Sequence, residues 1–335
     1  MKIEVVIPAH NAAAWLRETL DGIAAQVRPP GLVTIVNDRS TDRTEEVAAA
    51  AARELAPRLP IRLLPNAGPP GPSAARNTAI RASSADWIAL CDADDLLLPA
   101  HHAELAALAR APGVVLAFGD SCQFDSDTRE VVVPSYHQRS GLGARQPEAL
   151  PEGGLTLGDA MLRAILDGVM VCTSACMLQR QAALDTGLFD EELMYSEDAH
   201  FFMRLATLGR FAFTREMVTW KRRHGTNLSH RRNALPFRRG ECLSVAKLAG
   251  RVPSTAQRGA LRLSEADRDA LAAKLPHLLH GYLYEASLAG PAAYLEAARL
   301  CHACGHAALA LAPRQLARLG VRGTLGRLFA GGSSG

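Results

Sequence analysis

Long apolar runs are missing from this 335-residue chain, and none approaches the roughly 20 residues that cross a bilayer. No secretory leader is expected either. Lys2 is followed only by Ile3 to Ile7 before Pro8 interrupts, which is far short of an apolar signal core. The expected location is the cytoplasm, with peripheral contact at the inner face of the membrane as its variant. Aromatic residues are scarce at 5%, and beyond Trp15 the tryptophans are Trp87 and Trp220 alone, so no base-stacking platform for nucleic acid is in view. The seven cysteines are odd in number and lack a secretory context, which points to reduced thiols. Cys301 and Cys304, with His302 and His306, resemble a metal clip. A closed zinc site needs four ligands, and no second pair has matching spacing, so buried thiols in an alanine-rich helix are expected. Lysine is nearly absent: only Lys2, Lys221, Lys247 and Lys274 occur, a usage that reads as codon bias.

What is present is a globular composition, 48% apolar and 21% charged, which excludes a disordered chain and a small disulfide scaffold. The length suits two domains of roughly 100–200 residues. The net charge of +3 conceals an asymmetry. Residues 1–198 carry 16 basic against 27 acidic side chains, and residues 199–335 carry 21 against 7. A basic C-terminal part favours anionic partners such as phosphates or anionic lipid.

Residues 1–120 alternate short β-rich runs with helical patterns. Strands are expected at Ile3–Ile7, Val33–Val36, Ile61–Leu64, Trp87–Cys91 and Val114–Phe118. Helices are expected from Ala13 to Gln26, from a Ser40 or Thr41 cap to Leu55, through Arg81, and from Pro99 to Arg110. Such alternation implies an α/β fold, a mostly parallel sheet with helices on both faces. Residues 121–156 read as a long loop or lid. A helical, basic region follows from 231 to 335, with breaks at Pro253, Pro276 and Pro291. Within it, Arg314, Arg318, Arg322 and Arg327 alternate with Leu316, Leu319, Leu325, Leu328 and Phe329, a basic amphipathic pattern that suits a protein face or a membrane surface. Gly331–Gly335 reads as a flexible tail.

In a parallel α/β sheet, ligands bind beyond the carboxyl ends of the strands. Those ends are polar here: Pro8-Ala9-His10-Asn11, Asn37-Asp38-Arg39-Ser40 and Asp92-Ala93-Asp94-Asp95. Three carboxylates within four residues repel one another, and a divalent cation shared with substrate phosphates would hold them together. The plainer reading is a solvated acidic turn with Asp95 capping the next helix.

Seven segments in one order then resemble a family-2 glycosyltransferase of the GT-A fold, over about residues 2–230. They are Val5 to Asn11, Val36 to Asp42, Gly71 to Asn77, Ala89 to Asp95, Thr186 to Glu191, Ser196 to Phe201 and Arg223 to Ser229. The resemblance implies a nucleotide-sugar-binding catalytic domain at 1–230, with 231–335 serving acceptor binding, oligomerisation or membrane contact. It implies that Pro8, Ala9 and Asn11 contact the nucleotide, and that Asp38 accepts from a base imino N–H. Arg76 would lie near the nucleotide, although a salt bridge to Asp38 is the plainer alternative. Asp92 would hold the ribose, Asp94 and His224 the metal, and Asp198 would be the general base. Glu197 and Arg223 are candidates for acceptor or diphosphate contact. The implied reaction is inverting hexosyl transfer from a nucleotide diphosphate sugar to an acceptor hydroxyl, assisted by Mn²⁺ or Mg²⁺. The acceptor would be a carbohydrate, a lipid-linked group or a natural product. The second loop carries Asn37-Asp38 where the family usually has paired aspartates, which leaves the base open among uridine, deoxythymidine and guanosine.

The chemistry agrees independently. A departing diphosphate needs a cation to take up charge. The acceptor hydroxyl needs a carboxylate on the opposite side of the sugar to take its proton, and one displacement of this kind inverts the anomeric carbon. Two rivals are weighed against this. A sugar-1-phosphate nucleotidylyltransferase normally has a Gly-rich loop after the first strand, where this chain has Pro8-Ala9-His10-Asn11. A catalytically silent scaffold would have lost its acidic positions, yet Asp92, Asp94 and Asp198 are all present.

Overall fold

In the computed structural model, residues 1–254 and 261–311 are described. They divide into two compact units. One holds residues 1–227 with 261–263, the other 228–254 with 264–311.

The first unit is an α/β sheet. Its elements are β1 (Ile3–Ala9), α1 (Leu16–Ala24), β2 (Leu32–Asn37), α2 (Thr44–Leu55), β3 (Ile61–Pro65), α3 (Pro72–Ala82), β4 (Trp87–Leu90), β5 (Leu96–Leu97) and α4 (His101–Leu108). They continue with β6 (Val114–Asp125), β7 (Val131–Val133), α5 (Tyr136–Arg139), β8 (Glu148–Ala149), β9 (Leu155–Thr156), α6 (Met161–Leu166), β10 (Cys176–Gln179), α7 (Arg180–Asp185), α8 (Glu197–Leu205) and β11 (Arg210–Arg223). The sheet order is β3-β2-β1-β4-β10-β6-β11-β9-β8, with β5 on β11 and β7 on β6.

The run β3-β2-β1-β4 is parallel, as strand–helix alternation requires. β10 then enters antiparallel between β4 and β6, and β6 pairs parallel with β11. Val5 and Ile7 of β1 join Leu16, Leu20 and Ile23 of α1, Ala48 and Ala51 of α2 and Leu105 of α4 in one core cluster. Val6 is equally buried but points to the other face by the two-residue period, and α3 packs on β1. Helices therefore cover both faces, and the carboxyl ends of β1, β2 and β4 open on one side.

Several expected boundaries move. Pro8 and Ala9 lie inside β1, paired with Val36 and Asn37, rather than in the loop beyond it. α1 starts at Leu16 instead of Ala13, because the Ala12 and Ala13 N–H groups are taken by Thr44 Oγ1 (2.7 Å) and Asp42 Oδ2 (3.1 Å). α2 starts at Thr44, so neither Ser40 nor Thr41 caps it. The strand expected to stop at Phe118 runs on to Asp125, and 121–156 is not one open loop. It completes β6, turns back as β7 and contains α5, β8 and β9. Gly119 explains the continuation. A Cβ there would sit 2.7 Å from both Val218 methyls, so the bare glycine lets the two long strands stay paired.

The second unit is helical: α9 (Ala234–Leu248), α10 (Glu265–Ala289), α11 (Pro291–Ala303) and α12 (Ala307–Ala310). α10 opens with a capping box in which Ser264 Oγ accepts from the Asp267 N–H at 3.1 Å and Asp267 accepts from the Ser264 N–H. The break expected at Pro276 is absent. α10 passes through it, held by the buried stripe of Leu271, Leu275, Leu279 and Leu283. Pro291 instead opens α11. Cys301 and Cys304 are buried, and burial pushes the Cys301 thiol up to about 12. Among the described residues, no three His, Cys, Asp or Glu side chains gather as a metal cage. The arginine–leucine segment from Arg314 to Phe329 and the tail Gly331–Gly335 lie outside the described residues.

Candidate active site

The first two strand ends are tied to each other before any ligand is considered. The Asp38 N–H donates to the Ala9 carbonyl at 2.7 Å. Asn11 adopts the left-handed conformation (φ 50°), which asparagine tolerates, and its Oδ1 accepts from the Thr41 N–H at 2.8 Å. Asn37 faces inward to this loop: Oδ1 accepts from the Ser40 N–H, and Nδ2 donates to Glu45. The position that departs from the family pattern therefore shapes the turn.

Asp38 is nearly buried. Its Oδ2 accepts from the Gly71 N–H at 2.7 Å, and its Oδ1 from Asn66 Nδ2 at 2.7 Å and Arg39 Nη1 at 3.0 Å. Gly71 sits at φ 130°, a conformation closed to most side chains, which turns its N–H toward Asp38 just before α3 begins. The expected partner Arg76 does not reach Asp38.

Arg76 instead lies about one turn along α3, 4% exposed. Its Nη2 donates to Asp92 at 2.8 Å and its Nη1 to Glu197 at 2.9 Å, while the guanidinium stacks over Phe189 at 5.3 Å. Burial opposes its charge, but the two carboxylates outweigh burial and raise its pKa. Arg76 is thus a buried strut between the β4 tip and α8. Neighbouring positions on α3 grip the same segment: Ser73 Oγ donates to the Leu193 carbonyl, and Asn77 bonds both the N–H and the carbonyl of Phe189.

At the β4 tip the three aspartates have three environments. Burial works against ionisation of Asp92, yet Arg76 and Lys221 prevail and hold its pKa low; Lys221 Nζ is 3.8 Å away. Asp95 is buried, accepts from Ser174 Oγ (2.6 Å) and the Arg222 N–H (2.8 Å), and is pushed up to about 7, first by burial and then by the Asp94 and Asp92 charges, against the pull of Lys221. It caps no helix, so the expectation of a solvated turn fails. Asp94 is partly exposed, as Asp92 is, and faces an imidazole instead of a guanidinium. Its Oδ2 lies 2.7 Å from His224 Nε2 and 3.2 Å from Asn227 Nδ2.

His224 follows β11, and its ring stacks on Trp15 with centroids 3.9 Å apart and an interplanar angle of 18°. Arg222 donates Nη2 to Glu18 at 2.6 Å and Nε to the Asp94 carbonyl at 2.8 Å. Arg223 does not join this cluster. It is exposed, and its nearest carboxylate is Asp125 at 3.6 Å.

Glu197 and Asp198 open α8, preceded by Ser196 in the left-handed region (φ 58°), a strained position that aims the two acids. Glu197 is buried, and burial followed by the Asp198 charge pushes it up to about 7 against the pull of Arg76. It is largely shielded from solvent. Asp198 is half-buried, with Oδ2 3.4 Å from Thr173 Oγ1.

Asp94 and His224 thus meet at the β4 tip beside Asp92, while Asn11 and Asp38 lie at the joined ends of β1 and β2. Lys221, Trp15, Ser174 and Asn227 were missed. Lys221 left one signal, as one of four lysines in a chain that otherwise uses arginine.

A parallel half-sheet with acidic side chains at its carboxyl tip and a closing mixed half defines the GT-A class of nucleotide-sugar-binding folds. The model of the family described as "Glycosyl transferase family 2" matches residues 4–188, more than half of the sequence. The chain belongs to that family. An uncharacterised glycosyltransferase, YwdF of Bacillus subtilis, is 38% identical over 106 residues, which cover 32% of this chain and 37% of the relative. A poly(ribitol-phosphate) beta-glucosyltransferase of Bacillus spizizenii is 32% identical over 99 residues, 29% of this chain and 15% of the relative. The matched stretch therefore spans only about a third or less of these relatives. Among solved structures, S. aureus TarS 1–349 aligns with a TM-score of 0.60 at 17% identity, over 95% of this chain and 83% of that one. The mannosyltransferase PcManGT of Pyrobaculum calidifontis, crystallised with GDP-Man and Mn²⁺, aligns at 0.58 and 20% identity, over 95% and 83%.

Proposed function

We propose that the chain transfers a sugar, with inversion, from a uridine-diphosphate donor to an acceptor hydroxyl, with Asp198 as general base. The observation that carries this is the β4 tip: Asp92 is paired with two cations, Arg76 and Lys221, while the Asp94 carboxylate meets the His224 imidazole. One hard carboxylate oxygen and one imidazole nitrogen at a shared position suit Mn²⁺ or Mg²⁺, whose remaining places diphosphate oxygens and water can fill. The residues fit the group, and Asp94 and His224 would hold it. Bound there, the cation would offset the charge that develops on the leaving diphosphate. Lys221 adds a second positive charge at the same tip.

Asp38 supports the choice of base. A carboxylate offers about four lone-pair sites, and three are taken by Asn66, Arg39 and Gly71. The one left, on Oδ2, matches the single imino N–H of uracil or thymine better than the paired donors of guanine. TarS has been crystallised with UDP and with UDP-GlcNAc, and its likeness to this chain supports the fold for such a donor.

Asp198, a half-buried carboxylate at the start of α8, would take the acceptor proton. Arg76 and Glu197 act behind it as its support. The acceptor would be a carbohydrate, a lipid-linked group or a natural product in glycoconjugate synthesis. Incubating the protein with a panel of UDP-, dTDP- and GDP-sugars and Mn²⁺, and following the anomeric proton by NMR, tests the proposal. Turnover of a UDP-sugar to the inverted product is expected. Turnover confined to GDP-sugars would refute the base assignment, and retention would refute the single displacement.

A further inference from the structure

His224 lies just beyond the last ladder bond of β11, yet its ring is fixed on every side. Nε2 faces Asp94 Oδ2 at 2.7 Å and Asn227 Nδ2 at 3.0 Å, and Nδ1 faces Thr226 Oγ1 at 2.7 Å. These in-plane contacts choose which nitrogen meets Asp94. They resist rocking about the Cβ–Cγ axis only weakly, because both nitrogens lie close to that axis. The indole of Trp15, nearly parallel at 3.9 Å, resists it directly.

Trp15 is placed for this by the turn that starts α1, where its N–H donates to the Ala12 carbonyl at 3.0 Å. Glu18, three residues on and so on the same helix face, accepts from Arg222. Positions 15 and 18 of the α1 turn thus grip positions 224 and 222 of the chain leaving β11. Arg222 in turn bonds Asp95 and the Asp94 carbonyl. The first turn of α1, the β4 tip and the end of β11 form one lock around Asp94 and His224. The electron-rich indole face also favours an electron-poor partner, which an imidazole bound to a cation becomes.

We propose that Trp15 is a positioning residue of the cation site: its indole holds the His224 imidazole in the plane that aims Nε2 at the place shared with Asp94. This rests on the assignment of Asp94 and His224 as cation ligands.

The test is a titration of Mn²⁺ into the protein in the presence of UDP, read by loss of the free-ion EPR signal. It compares wild type with Trp15→Leu, Trp15→Phe and His224→Ala. An aromatic stack is worth about 0.5–1.5 kcal/mol beyond its area, so Trp15→Leu should bind Mn²⁺ about threefold to tenfold more weakly. Trp15→Phe, which restores a ring face, should recover most of the loss. Equal Mn²⁺ affinity in Trp15→Leu and wild type would overturn the proposal and leave the cation assignment standing. An affinity unchanged by His224→Ala would overturn both. Quenching of indole fluorescence by Mn²⁺ with UDP should be present in wild type and lost in Trp15→Phe. Equal quenching in the two would count against the stack, whatever the stability of the leucine variant.

Discussion

Glu197 shows how one buried carboxyl sets a pH dependence. Its folded pKa, about 7, stands above the ordinary 4.5 because burial and Asp198 disfavour its charge. A raised acid pKa means that the folded state holds the proton more tightly. The stabilisation is complete below about 4.5 and is lost as pH climbs through about 7. Glu197→Gln keeps an acceptor for Arg76 and never ionises. Its melting temperature relative to wild type should therefore be higher at pH 8 than at pH 5, by about 2 °C for about 1 kcal/mol in a chain of this size. An offset equal at both pH values would contradict the burial argument. For the neighbouring acid, Asp198→Asn should keep UDP affinity within about twofold while transfer falls about 10²–10⁴-fold, as loss of a general base implies. Undiminished transfer would remove Asp198 from that role. The aspartates of the β4 tip were legible because charges after a buried strand are unusual, whereas Glu197 and Asp198 were legible only through the family resemblance. Their partners were not legible. Arg76 meets Glu197 across 121 residues of chain, and no local pattern announces that distance.

At the scale of elements, the parallel half-sheet could be read from the sequence because each strand–helix pair is short and local. The mixed half could not. β10 enters between β4 and β6 from 51 residues beyond β6, and β6 continues past Gly119, a residue that ordinarily punctuates a strand. The same glycine offers a test. Gly119→Ala would press a methyl into both Val218 methyls and should destabilise the chain by about 1–3 kcal/mol, measured by urea unfolding. A neutral substitution would mean that β6 and β11 can separate there at little cost. Pro276 failed as a helix breaker for a complementary reason, since the buried leucine stripe and the Ser264 capping box outweigh one lost backbone bond.

At the scale of the whole molecule, acidic side chains concentrate in the sheet unit and basic ones follow in sequence. An acidic tip alone would repel a diphosphate. In the sheet unit Lys221, Arg76 and Arg222 already offset much of that charge, and a divalent cation at Asp94 and His224 would complete the change of sign. That reversal is the central claim, and anomalous diffraction from crystals grown with UDP and Mn²⁺ tests it most directly. The account predicts one manganese peak bounded by the Asp94 carboxylate and the His224 imidazole, with uracil against Asp38. Manganese found elsewhere, or UDP bound away from the β4 tip, would contradict it.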